Sequence, residues 1–258
     1  MLFDSHAHYD NEKFDEDRDE IINNAFKSGV KYILNPSSSP ESIQRCVDIS
    51  NKYPHIFAAV GIHPHDASQI NEDILLKIED LTKEVKVVAI GEIGLDYHYD
   101  FSPRELQKKY FEAQIEIAKK VNLPIIVHNR DASEDSLKLI KQTNAKNVGG
   151  VFHCFSGSLE IAKTLLHNNF YISFGGPITF KNAKKSSEII KEIPLNRILI
   201  ETDAPYLSPE PFRGKRNNSA LVIHVAEKIA QIKEVALDLV ITKTCQNALE
   251  LFNIKSNF

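Results

Sequence analysis

Apolar, β-branched residues fall into eight short runs along this chain, beginning near Leu2, Val30, Ile56, Val85, Pro124, Val148, Phe170 and Ile198. Amphipathic stretches separate them at 15–28, 40–52, 72–83, 103–120, 132–143, 159–168, 182–192 and 221–232, and a last one closes the chain at 242–252. Within 103–120, Phe111, Ile115 and Ala118 recur at three- and four-residue steps, the spacing of a helix with one buried face. The apolar runs are near-continuous rather than alternating, as in strands buried on both sides, and this predicts a parallel sheet covered by helices. Eight βα units close most simply into a (β/α)8 barrel of the TIM type. An open doubly wound sheet is the alternative, but its G-x-G-x-x-G phosphate signature after a strand is absent. Neither a Gly/Ser/Pro-rich linker nor a low-complexity tract breaks the rhythm, so residues 1–258 read as one domain.

Polar residues of one chemical kind fall at the ends of these runs. His6 and His8, in Asp4-Ser5-His6-Ala7-His8, end the first run, and alternation along an extended chain puts both imidazoles on one side. Glu92 follows the fourth run, His128 ends the fifth, His153 the sixth, and Asp203 the eighth. Taken singly, each has an ordinary explanation: a hydrogen-bonded core histidine, or a carboxylate capping the next helix. Together, six metal-ligand types at the carboxyl ends of strands converge on the barrel mouth, where this fold builds its active sites. Three or four ligands hold one ion, so six suggest two divalent ions sharing a bridging carboxylate. Glu92 suits the bridge. Asp203 suits a ligand that also accepts the proton of an attacking water. No thiolate stands among the six, which leaves Zn, Mg, Mn, Co and Ni open.

Composition narrows the function classes. With 42% hydrophobic residues among 258, the chain can bury a full core, which excludes a disordered protein. A net charge of −4 argues against bulk coating of nucleic acid, though not against gripping a few phosphates locally. Cys46, Cys154 and Cys245 form no CxxC and read as buried free thiols of a reducing compartment. No signal-like start or membrane-length apolar run is present, so the expectation is a cytoplasmic monomer with no membrane contact and no obligate protein partner.

The stretches DSHAH (4–8), GIHPHDA (61–67), GEIGLDY (91–97), PIIVHNRDA (124–132), FHCFSGS (152–158), ETDAPYL (201–207) and RGKRN (213–217) resemble the TatD family of metal-dependent deoxyribonucleases, within the amidohydrolase-like barrels. The resemblance runs on to NALELF (247–252) and so covers essentially the whole chain. It implies a distorted TIM barrel, a two-metal centre and hydrolysis of DNA phosphodiesters, on single strands or from the 3′ end. By position it implies His6, His8 and Asp203 at one metal, His128 and His153 at the other, and Glu92 between them. One departure is Ser219, where relatives usually carry proline; it is expected to touch a loop and to leave the ligand set intact.

Substrate contacts are read from position and charge. His63 ends the third run and suits a donor to phosphate, although Pro64 and Asp66 also suit a helix-starting turn. Arg130, two residues past His128, can fork onto phosphate oxygens. Arg213, Lys215 and Arg216 form the one dense basic cluster on a loop after a metal-ligand strand. Tyr97, Tyr99 and Phe101 suit base stacking at the rim or packing beneath a βα loop. Glu201 and Thr202 flank the metal face and suit ligand orientation. Two further readings stay open at this point: a metal-dependent hydrolase of carboxylic esters or amides, such as aminoacyl esters on tRNA, and a metal-stabilised binding protein without catalysis.

Overall fold

A computed structural model describes residues 1–255. Its eight parallel strands are β1 Leu2–Asp4, β2 Val30–Pro36, β3 Ile56–Val60, β4 Val87–Asp96, β5 Ile125–Arg130, β6 Gly150–Phe152, β7 Phe170–Phe174 and β8 Ile198–Ile200, hydrogen-bonded in chain order. The expected barrel is present. Its last seam, between β8 and β1, is closed beyond the strands: Ser5 N–H donates to Ile200 O at 3.0 Å, Asp203 N–H to His6 O at 2.8 Å, and His8 N–H to Ala204 O at 2.7 Å. The irregular seam makes this a distorted TIM barrel, and it draws the first and last site segments together.

The helices are α1 Arg18–Lys27, α2 Ser42–Lys52, α3 Glu72–Leu81, α4 Arg104–Val121, α5 Ser133–Gln142, α6 Leu159–His167, α7 Lys184–Glu192, α8 Val222–Lys233 and α9 Leu237–Leu251. The first eight follow the expected stretches to within about one turn, whereas α9 starts five residues before the expected 242. Among the described residues no helix is long and apolar enough to cross a membrane.

Two apolar clusters hold the barrel. The larger lies between strands and helices, with Ile33, Ile90, Ile125 and Phe174 packed against residues such as Ile22, Phe111 and Val225. The second fills the barrel interior with Phe3, Leu34, Ala59, Ile126, Val151 and Leu199. Ala248, Leu249 and Phe252 of α9 and the following turn close it at the strands' N-terminal ends; the Phe252 ring lies 6.2 Å from Phe3. Asn247 anchors that plug by donating to Leu195 O and Ile198 O at 2.9 and 2.8 Å. Toward the opposite end the buried side chains turn polar: Asp4, Asn35, Ser37, Ser173 and Glu201. The barrel is therefore dry at its floor and polar at its mouth, where the site lies.

Candidate active site

Glu92 is almost fully buried, at 3% exposure, and its two carboxylate oxygens face different partners. Oε2 lies 3.1 Å from His6 Nε2 and 3.4 Å from His8 Nε2, while Oε1 lies 2.8 Å from His153 Nε2 and 2.9 Å from His128 Nδ1. Asp203 Oδ1 lies 3.5 Å from His8 Nε2 and 3.9 Å from His6 Nε2. All six side chains singled out at strand ends thus meet in one mouth. His6, His8 and Asp203 form one group of potential ligand atoms within 4.8 Å of one another.

The outward nitrogens of three of these four imidazoles are anchored. His8 Nδ1 lies 3.2 Å from the Pro36 carbonyl, His128 Nε2 lies 3.1 Å from Asp96 Oδ2, and His153 Nδ1 lies 3.3 Å from Glu201 Oε1. Each acceptor favours the proton on the outward nitrogen and so turns the other lone pair inward. His6 and His8 then face each other Nε2 to Nε2 at 3.1 Å, and His128 Nδ1 faces His153 Nε2 at 3.3 Å. For His128 and His153, whose outward nitrogens both have acceptors, two lone pairs at that separation repel unless a proton or a cation sits between them. The donor set therefore fits divalent metal. Among the described residues, His6 Nδ1 and Glu201 Oε2 are buried without a hydrogen-bond partner.

His63 has the opposite tautomer. Its Nδ1 accepts the His65 backbone N–H at 3.1 Å, so Nε2 carries the proton and points into the mouth, 3.4 Å from Glu92 Oε1. Burial and the nearby His128 ring hold its pKa well below the ordinary value, which keeps it neutral. A neutral imidazole with an inward N–H is a hydrogen-bond donor, not a ligand. Burial works against a charged Glu92, but His153, His63 and His6 and the hydrogen bond to His128 outweigh it and hold the carboxyl well below its usual range. Asp203 is also held low: the His8 contact and the neighbouring imidazoles overcome its desolvation.

Buried polar side chains lock these groups in place. Asp4 accepts from Thr202 N–H at 2.9 Å and from Thr202 Oγ1 at 2.6 Å, tying the segment of His6 to that of Asp203. Asp203 itself has a left-handed backbone, φ 56°, which costs a non-glycine residue of order 1 kcal/mol and aims its carboxylate into the mouth. On α4, Gln107 clamps the backbone of Asp96 and Gln114 that of Ile62, beside His63. Gly94 lies where β5 passes closest: a Cβ there would stand 2.0 Å from His128 O.

Other expectations fare unevenly. Arg130 lays its guanidinium over the Tyr99 ring at 4.7 Å, and Tyr99 stacks on Phe101 at 5.2 Å on the rim. Tyr97 instead donates to Asp135 and packs under its loop. The basic loop stands back from the site. Arg213 covers Phe180, Arg216 is paired with Asp17, and neither these nor Lys215 line the mouth cavity or the one beside it. Cys154 is half-buried rather than buried. Ser219 is a correction: it is fully buried, donates to Asp4 Oδ2 and accepts from Tyr9 O–H. Asp96, the shared acceptor for His65 and His128, was not among the expected site residues. Its signal lies in the alternation Glu92, Gly94, Asp96 along one strand.

The family model for TatD-related DNases matches residues 3–253. The chain is 50% identical over 254 residues to the metal-dependent hydrolase YabD of Bacillus subtilis, covering 98% of this chain and all of that one. It is 34% identical to the 3′-5′ ssDNA/RNA exonuclease TatD of Escherichia fergusonii, over 98% of this chain and 99% of the relative. Its fold matches the crystal structure of the TatD homologue YjjV of Escherichia coli with a TM-score of 0.93 at 30% identity, over 98% of each chain.

Proposed function

Because the chain belongs to the family of TatD-related DNases and is a metal-dependent hydrolase, we propose that it cleaves phosphodiester bonds of DNA at single-stranded ends, with two divalent ions at the mouth. The observation that carries this reading is the division of labour on Glu92, one oxygen toward His6 and His8 and the other toward His128 and His153. In this reading His6, His8 and Asp203 hold one ion, His128 and His153 the other, and Glu92 spans both. Metal held by these residues would supply a water of lowered pKa and would offset charge on a phosphoryl group.

The remaining work falls to the chain. Asp203 is the proton acceptor: its carboxylate is held ionised, lines the mouth, takes the proton of the water that attacks phosphorus, and returns it to the leaving oxygen once that bond to phosphorus has broken. His63 donates Nε2–H to a non-bridging phosphate oxygen, and its neutrality spares it competition with the cations. Arg130 supplies a fork for the same group from the rim. Asp96, Glu201 and the Pro36 carbonyl keep the imidazoles in one tautomer. The inward Nε2–H of His63 and the nearby Arg130 favour an anionic substrate over a neutral ester.

The test is turnover of end-labelled single-stranded DNA by metal-stripped protein, with Mg, Mn or Zn restored, beside an aminoacyl ester. Shortened DNA with at least one metal and slow ester turnover is expected. Rapid ester turnover with intact DNA under every metal would replace this reading by the carbonyl hydrolase.

A further inference from the structure

Beside the mouth cavity of about 360 Å³ lies a second of about 220 Å³, and His128, His153 and Asp203 line both. Any occupant of the second cavity is therefore adjacent to the reacting centre. Its walls differ in kind. Phe155, Phe174, Pro177, Ile178 and Leu207 make it chiefly apolar, whereas the mouth is lined mostly by imidazoles and carboxylates. Arg130 lines the second cavity while its guanidinium covers Tyr99, which lines the first, so the arginine stands on the ridge between them.

We infer that this second cavity is a subsite for the base of the terminal nucleotide, an assignment that rests on the nuclease reading. The scissile phosphate spans the shared wall. The strand then leaves over the stacked Tyr99 and Phe101, which are exposed at 49% and 67%, and the last base enters the apolar cavity. The volume falls below the roughly 300–1,000 Å³ of pockets that enclose drug-sized ligands, so it admits one base and no second nucleotide. Chiefly apolar walls accept any base without reading its edge, which gives end selection with little sequence preference. The structure thus supplies a reason for cleavage one nucleotide at a time.

Cys154 reports occupancy directly, since it lines this cavity and is half-buried, whereas Cys46 and Cys245 are buried. Its alkylation by N-ethylmaleimide, followed by mass spectrometry, is measured with 2′-deoxyadenosine 5′-monophosphate or with deoxyribose 5-phosphate. The nucleotide should slow alkylation several-fold and the base-free sugar phosphate should not. Ser186→Phe, on the α7 wall, should slow it without ligand and remove the nucleotide's effect; Ser156→Phe serves if that variant does not fold. In turnover, an oligonucleotide ending in an abasic residue should be cleaved about tenfold less efficiently than one ending in adenine, as loss of one stacked base predicts. Ser186→Phe should narrow that gap. Equal protection by both ligands, or none, overturns the base subsite even where DNA is cleaved. Protection by the nucleotide with no DNA cleavage upholds the subsite and sinks the nuclease reading instead.

Discussion

Ser219 shows how one side chain can serve a site it never touches. Its hydroxyl donates to Asp4, accepts from the fully buried Tyr9, and its backbone N–H donates back to Tyr9 Oη at 3.0 Å. Asp4, pushed up to about 7 by burial despite its bonds to Ser219 and Thr202, depends on those donors. Proline, which the family resemblance places there, would suit the first position of the short helix Ser219–Leu221 and stabilise by about 0.4–1 kcal/mol through the unfolded chain. It would also remove an acceptor and two donors, the hydroxyl and the backbone N–H, from a buried network, at about 1–3 kcal/mol for each group left unsatisfied. The lost hydrogen bonds outweigh the gain from a stiffer unfolded chain. Urea unfolding of the metal-free protein should show Ser219→Ala and Ser219→Pro each less stable by about 2 kcal/mol; a Ser219→Ala variant as stable as the parent would show that the network contributes nothing. The hydroxyl's partners lie 210 and 215 positions away, so no local pattern discloses it. The six convergent His, Glu and Asp residues were legible because each ends an apolar run. Arg216 misled because Asp17, its partner, is distant in sequence and close in space.

At the scale of elements, the rhythm of apolar runs disclosed all eight strands, since strands buried on both faces leave an unbroken apolar signal. Boundaries were legible where a side chain caps. Asn71 accepts from Ile74 N–H ahead of α3 and Ser158 from Ile161 N–H ahead of α6, and both helices begin where expected. The start of α9 follows Ala236, which offers no capping atom, so nothing in Val235-Ala236-Leu237 marks it. The extension to Leu237 matters mechanically, because α9 is the plug on which the interior cluster rests. The strand β4 is the other element whose length was not evident. It continues past Glu92 to Asp96, carrying the central carboxylate of the mouth and the acceptor that orients His128 on one rigid support. Gly94 between them reads in sequence as an ordinary turn signal, yet it is there because the backbone of β5 passes too close for any side chain.

Across the whole molecule, a net charge of −4 means that attraction for a polyanion is local. Arg213 and Lys215 are exposed on the loop after the Asp203 segment and line neither cavity, which leaves their field, and not contact, as the way they would act on a polyanion. Replacing both with Gln should raise KM for an oligonucleotide several-fold at low salt, leave kcat unchanged, and reduce the slope of log KM against log salt by up to about 1.4 if both contribute fully on a single strand. An unchanged slope would show that the loop does not sense the substrate. The larger claim is that barrel, seam and anchored imidazoles exist to hold two cations on either side of Glu92. Its most direct test is to titrate metal-stripped protein with Mn or Zn and follow bound metal and cleavage of single-stranded DNA in the same samples. Two ions per chain are predicted, with cleavage rising only with the second equivalent and Glu92→Gln losing at least one ion together with turnover. Full cleavage at one equivalent, or in the absence of bound metal, would contradict the account.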